Sequence, residues 1–231
     1  MTELEQIIAA YWRQPDGAAA LDAFVRSPGG EQWRPETVLS VPVFLAHVLD
    51  AHEQLAAGLV GAVKGGDPVK VEMVAQALNY SHLRQRVRLM ESLVGEQAAA
   101  SMEDGGADFK ALTPSHPVHV DMLWMSFFAT AEAEYLDRVV ALLAGWLPDP
   151  QLQALVGRAA SEAAVQQQAM AGLLAKAAQM TLEMQAADCP PVQEALSRRA
   201  QARDGLAAAM AARLLAQLSL VSAKAETRLS F

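Results

Sequence analysis

The sequence predicts an all-α fold, an irregular array of antiparallel helical hairpins, and three observations carry that reading. Apolar residues recur at helical rather than alternating spacing along nearly the whole chain. Proline and glycine cluster between these segments, where they stop helices. Of 231 residues, 52% are hydrophobic and 19% charged, which is enough apolar surface for a core and enough charge for a hydrated exterior.

Leu4, Ile7, Ile8, Tyr11 and Trp12 set the face of a first helix, opened by Thr2 and Glu5 as a capping box and stopped by Pro15 and Gly17. Leu21, Phe24 and Val25 mark a short second helix, ended by Pro28, Gly29 and Gly30. Ser40 is placed to cap a third helix through Phe44, Leu45, Val48 and Leu49, with Pro42 in its first turn. A fourth carries Leu55, Leu59, Val60 and Val63 to the stop at Gly65 and Gly66.

Asp67 is a good N-cap and Pro68 suits the first helical position, so a helix with Val71, Val74 and Leu78 on one face starts there. Ser81 is placed to cap the next, with Leu83, Val87, Met90, Leu93 and Val94 running to Gly95, and the two make a hairpin. Residues 96–115 read as the longest loop, broken by Asp104, Gly105, Gly106 and Pro114. The stretch "HPVHVDMLWMSFFAT" that follows is apolar on almost every side from Val120 to Phe128, which marks a central buried helix. Its partner carries Tyr135, Leu136, Val139, Val140, Leu142, Leu143 and Trp146, with Glu134 placed to pair with Arg138.

From Asp149 and Pro150 the composition shifts toward alanine and glutamine, and one helix or two, divided at Gly157 or Gly172, fill the chain up to Pro190. Val192 and Leu196 mark another helix, and Met210, Leu214, Leu215, Leu218 and Val221 a last one before a tail expected to fray from Lys224 to Phe231. Residues 1–231 are thus expected to form a single all-helical domain, with hairpin repeats over 1–148 and an Ala/Gln-rich helical region over 149–231.

The repeat rests on an alignment. "DPVKVEMV" (Asp67 to Val74) and "HPVHVDML" (His116 to Leu123) share the proline, two valines and the methionine, and Glu72 faces Asp121. After one inserted residue Arg88 aligns with Arg138, Leu93 with Leu143 and Gly95 with Gly145. A weaker echo starts at "VPVFLAHVL" from Val41. Hairpins of about 30 residues that repeat are the mark of helical solenoids, so the architecture is analogous to tetratricopeptide-like arrays, as a solenoid or a bundle.

The segment "DMLWMSFFATAEAEYLDRVVALL" also resembles one found in a group of uncharacterised bacterial all-helical proteins, where an "LWxxFFATG" helix precedes a second amphipathic helix. The likeness covers about His116 to Gly145 and implies a helical fold without an activity or cofactor. Ala131 stands where that pattern favours glycine, which implies a different turn geometry.

Several residue groups are candidates for chemistry. His116 and His119 are three apart with Asp121 beside them, so a helix brings two imidazoles to one face as metal ligands. Against this, the other copy of the repeat has Asp67 and Lys70 there, ordinary solvent-facing residues. In "HVLDAHE", His47 and His52 diverge by about 140° on a helix, and Asp50 with Glu53 suits a capping box. Arg84, Arg86 and Arg88 form a candidate anion site, diluted because Arg86 turns away from the face that Arg84 and Arg88 share on a helix. Arg198, Arg199 and Arg203 are a similar cluster.

The net charge of −8 and isoelectric point of 5.1 oppose broad attraction to nucleic acid or an anionic bilayer. The lone Cys189 forms no internal disulfide or CxxC knuckle and reads as an inert thiol. The N-terminus lacks the basic start and apolar run of a signal peptide, and residues 205–223 carry Arg213 and Gln217, so a cytoplasmic protein without a membrane span is expected. The function expected is a protein-interaction or scaffold module with a protein or peptide partner, or a second copy of itself, and no cofactor. Its alternatives are a small metal-dependent or acid–base enzyme using the histidines, and an anion or nucleic-acid binder using the arginines.

Overall fold

In the computed structural model the starts of several helices trace to one or two capping residues or a proline. The structure describes residues 2–29, 32–102, 105–158 and 162–229, with side chains to residue 220. Gly30 and Asp104, expected as breakers, lie outside the described residues, as do the side chain of Val221 and the last two residues of the tail. The fold is all-α, and the described residues contain thirteen α-helices. Contacts divide the chain into two compact units, Met1–Leu112 with Asp121–Glu132 and Thr113–Val120 with Ala133–Phe231. The expected change of region at residue 149 is therefore not where contacts divide, because the helix that begins at Ala133 packs with the C-terminal helices.

In the first unit α1 (Glu3–Tyr11) opens with the expected capping box, and α2 (Gly17–Arg26) is capped by Asp16, which accepts from Ala19 N at 2.9 Å. Helix α3 (Pro35–Ala51) starts earlier than Ser40. Pro35 takes its first position, Ser40 is buried inside it, and Pro42 lies within its body. An interior proline costs about 3 kcal/mol. Burial of Val41, Val43, Phe44, Leu45, Val48 and Leu49, at roughly 1.5–3 kcal/mol each, outweighs that loss.

A 3-10 turn, Glu53–Leu55, leads into α4 (Ala56–Val63). Helix α5 (Pro68–Tyr80) starts as the sequence predicts, with Asp67 Oδ1 accepting from Val69 N at 2.9 Å and Lys70 N at 3.2 Å. Ser81 does not cap the following helix. It closes α5, donating its hydroxyl to Leu78 O at 2.8 Å, and α6 (Arg86–Val94) begins only after a turn. Val87, expected on the apolar face, is 51% exposed. The expected long loop opens with a short helix, α7 (Glu96–Ser101). Helix α3 packs on α5, α5 on α6, and α4 on both α5 and α6.

Helix α8 (Val118–Thr130) buries Val120, Leu123, Trp124, Phe127 and Phe128, the central helix expected. Its end is made by Ala131, which has φ of 59°. That is a left-handed conformation in which an L side chain costs about 1–2 kcal/mol, so alanine takes up a glycine-type turn under strain.

In the second unit α9 (Ala133–Ala141) tightens into a 3-10 turn, Leu142–Gly145, instead of continuing to Trp146. The next stretch is two helices, α10 (Asp149–Arg158) and α11 (Ala163–Gln185). The division follows the last turn of α10, which contains Gly157, and does not lie at Gly172. Gly172 sits inside α11, where an added Cβ would lie 2.7 Å from Leu152 Cδ1, and one on Gly145 would lie 2.6 Å from Ala171 O. These two glycines let the 3-10 turn and α10 approach α11 closely. Helices α12 (Pro190–Gln201) and α13 (Gly205–Leu229) follow, with Pro190 in the first position of α12. The backbone of α13 stays helical to Leu229, past the expected start of fraying at Lys224. Helix α12 packs on α9 and α13, closing a core of Leu136, Val139, Leu143, Leu182, Leu196 and Leu214. Among the described residues no single helix is long and apolar enough to cross a membrane.

The two copies of the aligned repeat are not used alike. Helices α5 and α6 both belong to the first unit and pack together, whereas α9 belongs to the second unit and residues 121–130 of α8 to the first.

Candidate functional site

The residues of "HVLDAHE" each meet a different partner. His47, on α3, places Nε2 3.0 Å from Ser126 Oγ on α8, and its ring lies against Phe109, centroids 5.6 Å apart. Burial drives its pKa down to about 4, with His82 and Lys110 adding to the fall and Glu132 opposing it. Asp50 is not part of a capping box with Glu53. Its Oδ1 accepts from His82 N at 2.8 Å, and burial raises its pKa against that hydrogen bond. His52 leaves the group, placing Nε2 3.4 Å from Tyr11 OH and packing so closely on Gly17 that a Cβ there would lie 2.4 Å from its ring.

The segment from Gly105 to Leu112 straps this cluster. Gly106 N donates to Asn79 O at 2.9 Å and Ala107 N to Tyr80 O at 3.0 Å, which answers carbonyls at the end of α5. Phe109 meets Tyr80 edge to face at 5.3 Å, and Lys110 pairs with Glu132. A serine beside a histidine suggests a nucleophile and its base. Here, however, Ser126 gives its hydroxyl proton to Met122 O at 3.0 Å and is 0% exposed. With the hydroxyl so engaged, Ser126 Oγ is the acceptor of a hydrogen bond from His47 Nε2–H, and it is buried away from any substrate. The cluster positions α3, α5 and α8 within the first unit.

The candidate metal ligands are also occupied locally. His116 Nδ1 accepts from Val118 N at 3.2 Å, the position that Asp67 serves for Val69 in α5. His119 Nδ1 accepts from Ser115 N at 3.1 Å. His116 thus caps the entrance of α8, and His119, whose ring centroid is 6.5 Å away, ties the segment before the helix back to it. Burial lowers the His119 pKa, and His116 lowers it further. Asp121 lies in the field of Glu36 and Arg34, and burial raises its pKa. Among the described residues no group of three or more His, Cys, Asp and Glu side chains is gathered as a metal site would require.

Of the first arginine cluster, Arg84 and Arg88 are exposed and Arg86 is half-buried. Arg84 lies in the turn before α6 rather than on it, and Arg86 Nη1 donates to Ser81 O at 3.4 Å. In the second cluster Arg198 pairs with Asp137 at 2.7 Å and Arg199 with Asp204 at 3.2 Å, so two of those charges already have carboxylate partners. Lys70 corrects another expectation. It is 8% exposed rather than solvent-facing, and its Nζ donates to Val25 O at 2.8 Å and Ser27 O at 2.5 Å, capping the last carbonyls of α2 with a positive charge.

A further candidate surface lies on α11. Its inward face buries Ala175, Ala178 and Leu182. Two positions further along from each, about 200° around the helix, stand Ala177, Met180 and Met184. Met180 is 55% and Met184 73% exposed, among the most exposed large apolar side chains described. The stripe extends back through Leu173 and Met170, which are half-buried, at alternating spacings of three and four. That spacing was the available signal, hidden because it reads equally well as a core face.

No family model, no curated protein and no solved structure matches this chain.

Proposed function

We propose that this chain is a protein-interaction module working through the outward face of α11. The observation that carries the reading is the run Met170, Leu173, Ala177, Met180 and Met184, uncharged, spaced for helix pairing, and most exposed at Met180 and Met184. An amphipathic helix docks by inserting such anchors into a facing groove, and methionine adapts its unbranched chain to a partner's surface. Burial of the two exposed methionines would contribute roughly 1.5–3 kcal/mol each before the ordering cost of association.

The test is capture from a native lysate on the immobilised full chain and on the Met180→Glu/Met184→Glu variant. A stoichiometric partner, including a second copy of the chain, held by the wild type and released by the variant is the expected result. A partner retained equally by the variant would move the interaction elsewhere, and capture of nothing specific by either would end the proposal.

A further inference from the structure

We infer that the occupant of the α11 face is the α11 of a second copy, packed antiparallel about a two-fold axis; this rests on the reading of that face as an interaction surface. The 3,4 spacing from Met170 to Met184 is the a/d seam of a two-stranded helix pair. Antiparallel pairing centred between Ala178 and Gln179 sets Ala177 opposite Met180 and Leu173 opposite Met184 of the other copy. Small residues then face large ones in both central layers, and two-fold symmetry makes each contact twice.

Charge decides the orientation. Lys176 and Glu183 flank the seam on the same side, one heptad apart, and bear opposite charges. Antiparallel packing brings Lys176 of each chain to Glu183 of the other. Parallel packing would instead set Lys176 against Thr181 and leave Glu183, two residues from the end of α11, with no opposite charge to meet. The opposite flank carries Thr181, whose hydroxyl is turned back to Ala177 O at 3.0 Å, and the buried Leu174, so no charge opposes the approach there. Lys176 also bonds Asp149 at 2.8 Å and Glu183 accepts from Gln179 at 2.8 Å, which holds both side chains beside the seam.

The test is sedimentation of the full-length chain over a concentration series. The wild type should dimerise, and Met184→Glu should weaken the dimer by about tenfold or more. Lys176→Glu alone and Glu183→Lys alone should each weaken self-association, because each places like charges together twice. An equimolar mixture of those two variants should restore a heterodimer, since every pair is then complementary. Thermal melts followed by circular dichroism separate loss of pairing from loss of folding, and Glu183→Lys, which leaves the Lys176–Asp149 pair intact, gives a second reading if Lys176→Glu fails to fold. A monomeric wild type, a dimer indifferent to Met184→Glu, or a mixture that fails to recover would overturn the inference. A monomer that captures a different protein through Met180 and Met184 would overturn this inference alone, whereas a monomer with no partner dependent on those residues would overturn the proposed function too.

Discussion

His47 and Ser126, 79 residues apart in sequence, are joined by a hydrogen bond of 3.0 Å in the interior of the first unit. The serine hydroxyl spends its proton on Met122 O, so His47 Nε2 is the donor and the imidazole is neutral. Protonating it would add a buried charge beside His82 and Lys110, with Glu132 offsetting part of that cost.

A pH dependence follows. The pKa is about 4 in the folded chain against 6.5 for the unfolded one, so above about pH 7.5 the imidazole is essentially neutral in both states and contributes little pH dependence. As pH falls below 6.5 the unfolded chain takes up a proton that the folded chain refuses until about pH 4, and stability declines across that window by up to about 3 kcal/mol. Urea unfolding at a series of pH values should show this slope. His47→Gln, which keeps an N–H donor for Ser126 without a titrating ring, should flatten it, and an unchanged slope in that variant would place its origin elsewhere.

Lys70 should behave as a buried cap. Lys70→Met keeps the stem but leaves the carbonyls of Val25 and Ser27 without their charged donor, at an expected cost of about 1–3 kcal/mol in a urea denaturation experiment. A change below a few tenths of a kcal/mol, the usual result at an exposed lysine, would show that the ammonium is solvated instead.

The features legible in the sequence are those set by neighbours in the chain. Asp67 and Pro68 open α5 because cap chemistry is local, and Thr2 with Glu5 opens α1 for the same reason. Ser81 was legible as a helix boundary and misassigned as to which one, since its hydroxyl can serve a carbonyl behind it or an amide ahead. Pro42 reads from the sequence as a first-turn proline, because the burial that overrides its cost inside α3 comes from other helices. Lys70 hid for a similar reason, its acceptors lying 43 and 45 residues away. At the candidate sites, spacing brings His116 and His119 together, and what it does not reveal is that backbone amides use their Nδ1 atoms.

That competition gives a direct test at the entrance of α8. His116→Asp replaces one capping acceptor by the residue that caps α5, and should hold or raise the melting temperature. His116→Ala should lose about 1 kcal/mol. Added zinc should leave the wild-type melt unchanged, because binding through Nδ1 would displace the backbone bonds of Val118 and Ser115, and binding through Nε2 would move the ring proton to Nδ1 and break them as well. A zinc-dependent rise in the wild type that disappears in His116→Ala would restore the metal reading.

Three small substitutions should differ in sign because backbone conformation differs. Ala131 has φ of 59°, so Ala131→Gly relieves a strain of about 1–2 kcal/mol and loses part of that gain to the greater freedom of the unfolded chain. A net rise of up to about 1 kcal/mol is expected. Gly58 lies in α4 with nothing within 4 Å of an added Cβ, and Gly58→Ala should stabilise by about 0.5–1 kcal/mol through helix propensity. Gly95 has equally open surroundings but φ of 89°, so Gly95→Ala should destabilise even though no atom blocks the methyl group. Urea midpoints for the three variants measure these effects side by side. A destabilising Ala131→Gly would show that the turn after α8 is held for a reason other than its dihedral, and a neutral Gly95→Ala would mean that the junction of α6 and α7 can relax out of the left-handed region.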